Sequence, residues 1–196
     1  MNKKTKNTVI ELIVSVLLLF GVIALVVYLS KGVISDNNSS GLTVSDEDVS
    51  DNTVTYGNLT YALSKDGEYY ICTGFAEGAE CTGTLSILSV IEEKPVKAIS
   101  DRAFEHRNDI VEVVLPYNLV SIGEYAFSEC KNIDTIRIHV NLKLISSYAF
   151  SGCENIKLVD CYFNKAVINF FPIFYGDGNE YFSSAQFNFT NNATLL

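Results

Sequence analysis

Nine residues recur at an interval of 23: ISDRAFEHR from Ile99, IGEYAFSEC from Ile122 and ISSYAFSGC from Ile145. Each unit carries Ala-Phe at its fifth and sixth positions, as Ala103-Phe104, Ala126-Phe127 and Ala149-Phe150. Isoleucine holds the twelfth position (Ile110, Ile133, Ile156), and Val113, Ile136 and Val159 hold the fifteenth. Leu115, Ile138 and Cys161 follow at the seventeenth. A unit this short cannot bury its apolar side alone and does so only against its neighbours. A fourth unit is expected from Ile168, although NFFPIFYGDG after it lacks the Ala-Phe pair.

A repeat of about 20 to 29 residues with fixed apolar positions predicts a leucine-rich solenoid, whereas helix-pair arrays need periods of roughly 33 or more. The alternating segments EVVLP, TIRIH and LVDCY read as its parallel strands. Positions fifteen and seventeen then face inward, and equivalent side chains stack at about one strand spacing, ~4.8 Å. Ala permits close approach of the coils and Phe fills the interior, so Phe127 and Phe150 are read as core. Three outward columns remain: Glu112, Thr135 and Leu158; Val114, Arg137 and Asp160; Pro116, His139 and Tyr162. Arg137 is expected beside Asp160, and His139 beside Tyr162. Solenoids use such a concave strip for binding, and Arg and Tyr dominate interface energies.

The stretch AISDRAFEHRNDIVEVVLPYNLVSIGEYAFSECKNIDTIRIHVNLKLISSYAFSGCENIKLVD resembles the BspA-like leucine-rich repeats of bacterial and some protist surface proteins. YGNLTYALSKDGEYYICTGFAEGAECTGTLSILSVIEEKPVKAI is similar to the hairpin module preceding those repeats, so the resemblance covers about Thr55 to Asp160. It departs from the pattern at Arg107, which stands where Cys130 and Cys153 stand, and at His139 and Tyr162, where proline is usual. The resemblance implies a surface-displayed binding module. The fold expected is α/β: a short, right-handed leucine-rich repeat solenoid with parallel strands, a β-hairpin cap, and a single transmembrane helix ahead of it. The hairpin, Tyr56 to Tyr70 with its turn at SKDGE, closes the first coil; Asp-Gly is a good hairpin turn. The aromatic C-terminal stretch reads as a second cap, with a contact surface as its alternative.

LIVSVLLLFGVIALVVYL, Leu12 to Leu29, holds no charge and follows Lys3, Lys4 and Lys6. At 1.5 Å per residue it covers ~27 Å, close to the ~30 Å hydrocarbon core of a bilayer. It has no polar face, which sets it apart from a core helix; a cleaved signal peptide is the other reading. The lysines place the N-terminus in the cytoplasm and the bulk of the chain outside. The domains expected are 1–7 cytoplasmic tail, 8–29 signal anchor, 30–54 flexible acidic linker, 55–98 hairpin cap, 99–167 three repeats, and 168–196 degenerate repeat and cap.

Net charge is −9, and setting aside the three lysines and Glu11, a net +2, leaves −11 for the exterior. That balance excludes nucleic acid as a partner. Cys130 and Cys153 recur at one position and read as buried small hydrophobes, while a Cys72–Cys81 disulfide fits an extracellular location. Asp177, Asn179 and Glu180 lack calcium-loop spacing. No nucleophile, metal or phosphate motif appears, so neither an enzyme nor a cofactor is expected. The function expected is protein binding or adhesion at the cell surface. A protein or extracellular matrix component would meet Glu112, Val114, Thr135, Arg137, His139, Leu158, Asp160 and Tyr162. The alternative is an envelope component that self-associates as a homo-oligomer through Phe170, Phe171 and Phe174.

Overall fold

The computed structural model describes residues 49–81, 83–139, 141–162 and 174–190. The chain divides into units of residues 1–40 and 41–196, and every described residue falls in the second. The apolar run Leu12–Leu29 lies outside the described residues, as do Ile168, Phe170 and Phe171. Among the described residues no helix is long and apolar enough to cross a membrane.

The chain winds as a parallel β-solenoid of about four turns, with a strand from each coil entering each of two sheets. Two antiparallel strands, β1 (Val49–Tyr56) and β2 (Leu59–Ser64), lead into β3 (Tyr70–Phe75). From there the coils alternate between β3, β6 (Lys94–Ile99), β8 (Ser121–Ile122), β10 (Leu144–Ile145) and β12 (Phe174–Tyr175) in the first sheet. The second sheet holds β4 (Gly83–Ser86), β7 (Ile110–Val114), β9 (Thr135–Ile138), β11 (Leu158–Cys161) and β13 (Gln186–Phe189). A two-residue strand, β5 (Val90–Ile91), folds back on β6.

The three predicted strands are β7, β9 and β11. Their register sets fifteenth positions side by side, Val113 with Ile136 and Ile136 with Val159. The unit-opening isoleucines build the first sheet, Ile99 beside Ile122 beside Ile145. Inside run two ladders. Phe104, Phe127 and Phe150 stack at ring spacings of 5.2 and 5.1 Å. Phe75 meets Phe104 edge-on at 5.3 Å. Fully burying such a side chain is worth about 1.5–3 kcal/mol, and each aromatic pair adds about 0.5–1.5 kcal/mol. The Cys130 and Cys153 thiols donate to Phe104 O and Phe127 O at 2.9 and 3.0 Å, one coil back.

The arc between Ile and Cys is neither helix nor strand. Arg102, Tyr125 and Tyr148, fourth in each unit, have φ of 57°, 56° and 60°. His106, Glu129 and Gly152, eighth in each, have φ of 63°, 60° and 72°. Backbone that swings into the left-handed region at every fourth residue cannot propagate a helix. It instead aims amides along the solenoid axis: Arg102, Phe104 and His106 N–H donate to Glu124, Ala126 and Ser128 O at 2.9, 2.8 and 2.8 Å. This is why the helical share expected of an α/β repeat is small. Among the described residues one short helix, α1 (Glu180–Ser184), appears, in the last coil.

Two boundaries move from their expected places. Strand pairing of the cap reaches back to Val49, inside the stretch expected to be linker: β1 pairs with β2 from Val49↔Ser64 to Tyr56↔Leu59. The polar composition of that stretch suits an exposed edge strand, and five of its eight residues are exposed, which is why it reads as linker. The fourth unit aligns on Tyr175, which pairs with Ile145, seven residues beyond Ile168. Phe182 then continues the aromatic ladder, 4.9 Å from Phe150.

Candidate protein-binding face

The outward side of the second sheet carries the predicted columns in register. Glu112, Thr135 and Leu158 lie side by side, as do Val114, Arg137 and Asp160. The end coils lengthen both columns: Thr84 sits beside Glu112 and Ser86 beside Val114, while Gln186 sits beside Leu158 and Asn188 beside Asp160. All eight predicted site residues are half-buried at this face. Pro116, assigned to the third column, is buried; Tyr117, next to it, takes the exposed place at 49 %. Its ring meets His139 edge-on at 5.6 Å, and His139 stacks on Tyr162 at 5.3 Å.

Arg137 lies beside Asp160, as expected, and its ion pair is made elsewhere. The pair runs the other way, Arg137 Nη2 to Glu112 Oε1 at 2.6 Å. Glu112 also accepts from Thr84 Oγ1 at 3.2 Å, and Asp160 accepts from Asn188 Nδ2 at 3.0 Å. Glu112 lies on one flank of Arg137 and Asp160 on the other, and the guanidinium leans to the side where the acid is shared with Thr84. Arg137 Nε is shut off from solvent with no hydrogen-bond partner, a state that costs about 1–3 kcal/mol. Burial pushes the His139 imidazole below its ordinary 6.5, which favours the neutral ring between Tyr117 and Tyr162.

Burial pushes the Cys130 and Cys161 thiols up to about 12 and that of Cys72 likewise, so they stay protonated and act as packing groups. Cys161 is buried and His139 sits at the outward face, so the two do not form a nucleophile pair. Cys72, left open by the sequence as a disulfide partner of Cys81, is a free thiol. Among the described residues no group of three or more His, Cys, Asp and Glu could hold a metal ion. Asn179, from the acidic turn, spends its amide inside the fold: Oδ1 accepts Phe150 N–H at 2.9 Å and Nδ2 donates to Ser146 O at 2.9 Å.

The sequence did not mark Tyr117 or the end-coil residues Thr84, Ser86, Gln186 and Asn188 as part of this face. GTLS at Gly83–Ser86 does alternate with Leu85 as its one apolar residue, a signal too short to stand out.

Comparison with known proteins fits this geometry. A crystal structure of a leucine-rich repeat protein from Bacteroides capillosus superposes with a TM-score of 0.57 at 24% identity, covering 70% of this chain and 98% of that one. A leucine-rich repeat protein from T. pallidum gives 0.50 at 21% identity, covering 59% of this chain. This chain spans 56% of the length of the T. pallidum protein. At these identities the likeness is one of fold. No curated protein matches the chain. A BspA type Leucine rich repeat region is matched over residues 80–176 in six copies. The match starts ahead of Ile99, at the coil that carries β4, and ends beyond Ile168, just past β12, so the repeat array is longer than the three units that share the Ala-Phe pair. The chain belongs to the BspA-type leucine-rich repeat family.

Proposed function

We propose that the chain is a membrane-anchored protein of the cell surface that binds another protein through the outward side of its second sheet. Leu12–Leu29 is the anchor in this reading, with the N-terminal lysines in the cytoplasm and the repeats outside. Repeat proteins of this family type serve as binding scaffolds. The observation that carries the reading is the arrangement around Arg137. An arginine sits at the middle of a half-exposed face, flanked by Glu112 and Asp160, with a shielded donor that nothing satisfies. A partner carboxylate or carbonyl that rotated the guanidinium would satisfy that donor, and the aromatic row from Tyr117 to Tyr162 supplies apolar contact area beside it.

The test is capture of candidate surface and matrix proteins by the full chain and by an Arg137→Ala/Tyr162→Ala variant of equal circular dichroism. Loss of a specific capture by about tenfold or more, the effect of one interface hot spot, supports the reading. Capture by both alike places the contact elsewhere. No capture, with light scattering showing a discrete multimer, favours assembly through self-association.

A further inference from the structure

The N-terminal end of the solenoid is lopsided. β3 and β4 belong to one coil, yet β3 is extended outward by β2 and β1, whereas no strand among the described residues pairs the outer side of β4. The first sheet therefore overhangs the second by two strands, about 9.6 Å at ~4.8 Å each. The recess beside β4 has a volume of about 480 Å³, and its lining includes Tyr56, Leu59, Tyr61, Leu85, Leu88 and Glu80. Leu59, Tyr61 and Leu85 form its buried floor, while Tyr56 and Leu88 are exposed at its mouth.

The open edge of β4 can be assigned residue by residue. Ile87 N–H donates to Val114 O on the β7 side at 3.3 Å. By the alternation of a parallel ladder, Thr84 and Ser86 turn their own N–H and C=O the other way, into the recess. An unpaired strand edge beside an apolar recess is a template for strand addition. A second solenoid does not fit there, because its first sheet would run into β1 and β2. A single extended strand does fit, one strand spacing from β4 and under the overhang. Its alternate side chains would reach Leu59, Tyr61 and Leu88. Charge selects further: Glu80 lines the recess and Glu77, in the same loop, is exposed, so basic residues beside the apolar ones are favoured.

We propose that β4 is a strand-addition site for an extended peptide segment of a partner protein, one with alternating apolar side chains and a basic flank. This rests on the binding-module reading and names the class of partner. Thr84 and Ser86 also begin the two outward columns, so a strand docked here lies at the end of the same face.

The full chain in detergent micelles is titrated with a synthetic peptide, Lys-Val-Thr-Val-Thr-Val-Lys, and with two forms of it N-methylated at alternate residues. A strand paired to β4 directs only one set of amides at Thr84 and Ser86. The form methylated on that set is expected to bind at least about tenfold more weakly than the other, the loss of one or two main-chain hydrogen bonds. Ser86→Pro, tolerated where the lost N–H faces away from the ladder, weakens the parent peptide similarly. Equal binding by both methylated forms, no binding at about 1 mM, or unchanged binding to a folded Ser86→Pro variant overturns the proposal. The methylated pair decides even if Ser86→Pro does not fold. Peptide binding that survives while the Arg137/Tyr162 variant captures partners normally overturns the outward-face reading and not this one.

Discussion

Asn179 shows how much one side chain can hold. In the first two repeats the fifth-position backbone carbonyl of the following coil receives the phenylalanine amide, as Ala126 O receives Phe104 N–H and Ala149 O receives Phe127 N–H. In the last coil the chain turns into α1 at that place, and Asn179 Oδ1 receives Phe150 N–H instead. Its Nδ2 meanwhile donates to Ser146 and Gly176 O at 2.9 and 3.0 Å. Asn179→Ala leaves these buried groups unsatisfied and is expected to lower stability by about 2–4 kcal/mol, at about 1–3 kcal/mol per orphaned group. Urea unfolding measures it, and a loss under about 1 kcal/mol would mean that water replaces the amide. Phe127, stacked on both sides, sets the comparison: Phe127→Ala costs about 3–5 kcal/mol, with no such replacement available. Gly178, one residue earlier, is needed twice. Its φ is +76°, and a Cβ there would run into the Tyr148 ring.

At the level of elements, the departure from the repeat pattern at Arg107 ties the cap to the first repeat. Where Cys130 and Cys153 reach back to the preceding coil, Arg107 lies over the Phe75 ring at 3.7 Å and donates to Ala79 O at 3.3 Å. It is paired with Asp109, which also accepts Cys81 N–H at 2.9 Å. The Arg107 guanidinium, outweighing burial, holds the Asp109 carboxyl well below its ordinary 3.8. A depressed carboxyl contributes stability above its unfolded value and loses it as pH falls toward the folded one. Asp109→Asn is therefore expected to cost about 1 kcal/mol at pH 7, a figure kept small by the pair's partial exposure. The gap to the unmodified chain should narrow as pH drops below about 4. Urea midpoints at both pH values measure this, and a gap independent of pH would mean that Asp109 acts by shape alone. The strands themselves were readable because alternation around Val113, Ile136 and Val159 is strict. The left-handed turns were not, because Arg102, Tyr125 and Tyr148 are residues that no propensity assigns to positive φ.

For the molecule as a whole, stability depends on closing the ends of a one-dimensional stack. The β1–β2 hairpin lays Leu59 and Tyr61 over Leu85, Ile87 and Cys72. A chain lacking residues 49–64 is expected to unfold less cooperatively and to expose Cys72, which is fully buried in the intact fold. Thiol labelling under native conditions reads this directly; continued protection would mean that the coils close without the hairpin. The sequence by itself determined the solenoid, its inward ladders and two of the outward columns, because an exact 23-residue period leaves equivalent residues only one way to meet; the third column it placed at Pro116, where the exposed residue is Tyr117. It could not give the end coils, where Tyr175 and Phe182 take over places held by Ile and Phe with no period to mark them. Nor could it give the leaning of Arg137 toward Glu112, or the recess beside β4. Those depend on which sheet is extended by the cap and which acid is already shared, and such relations exist only once distant segments lie side by side.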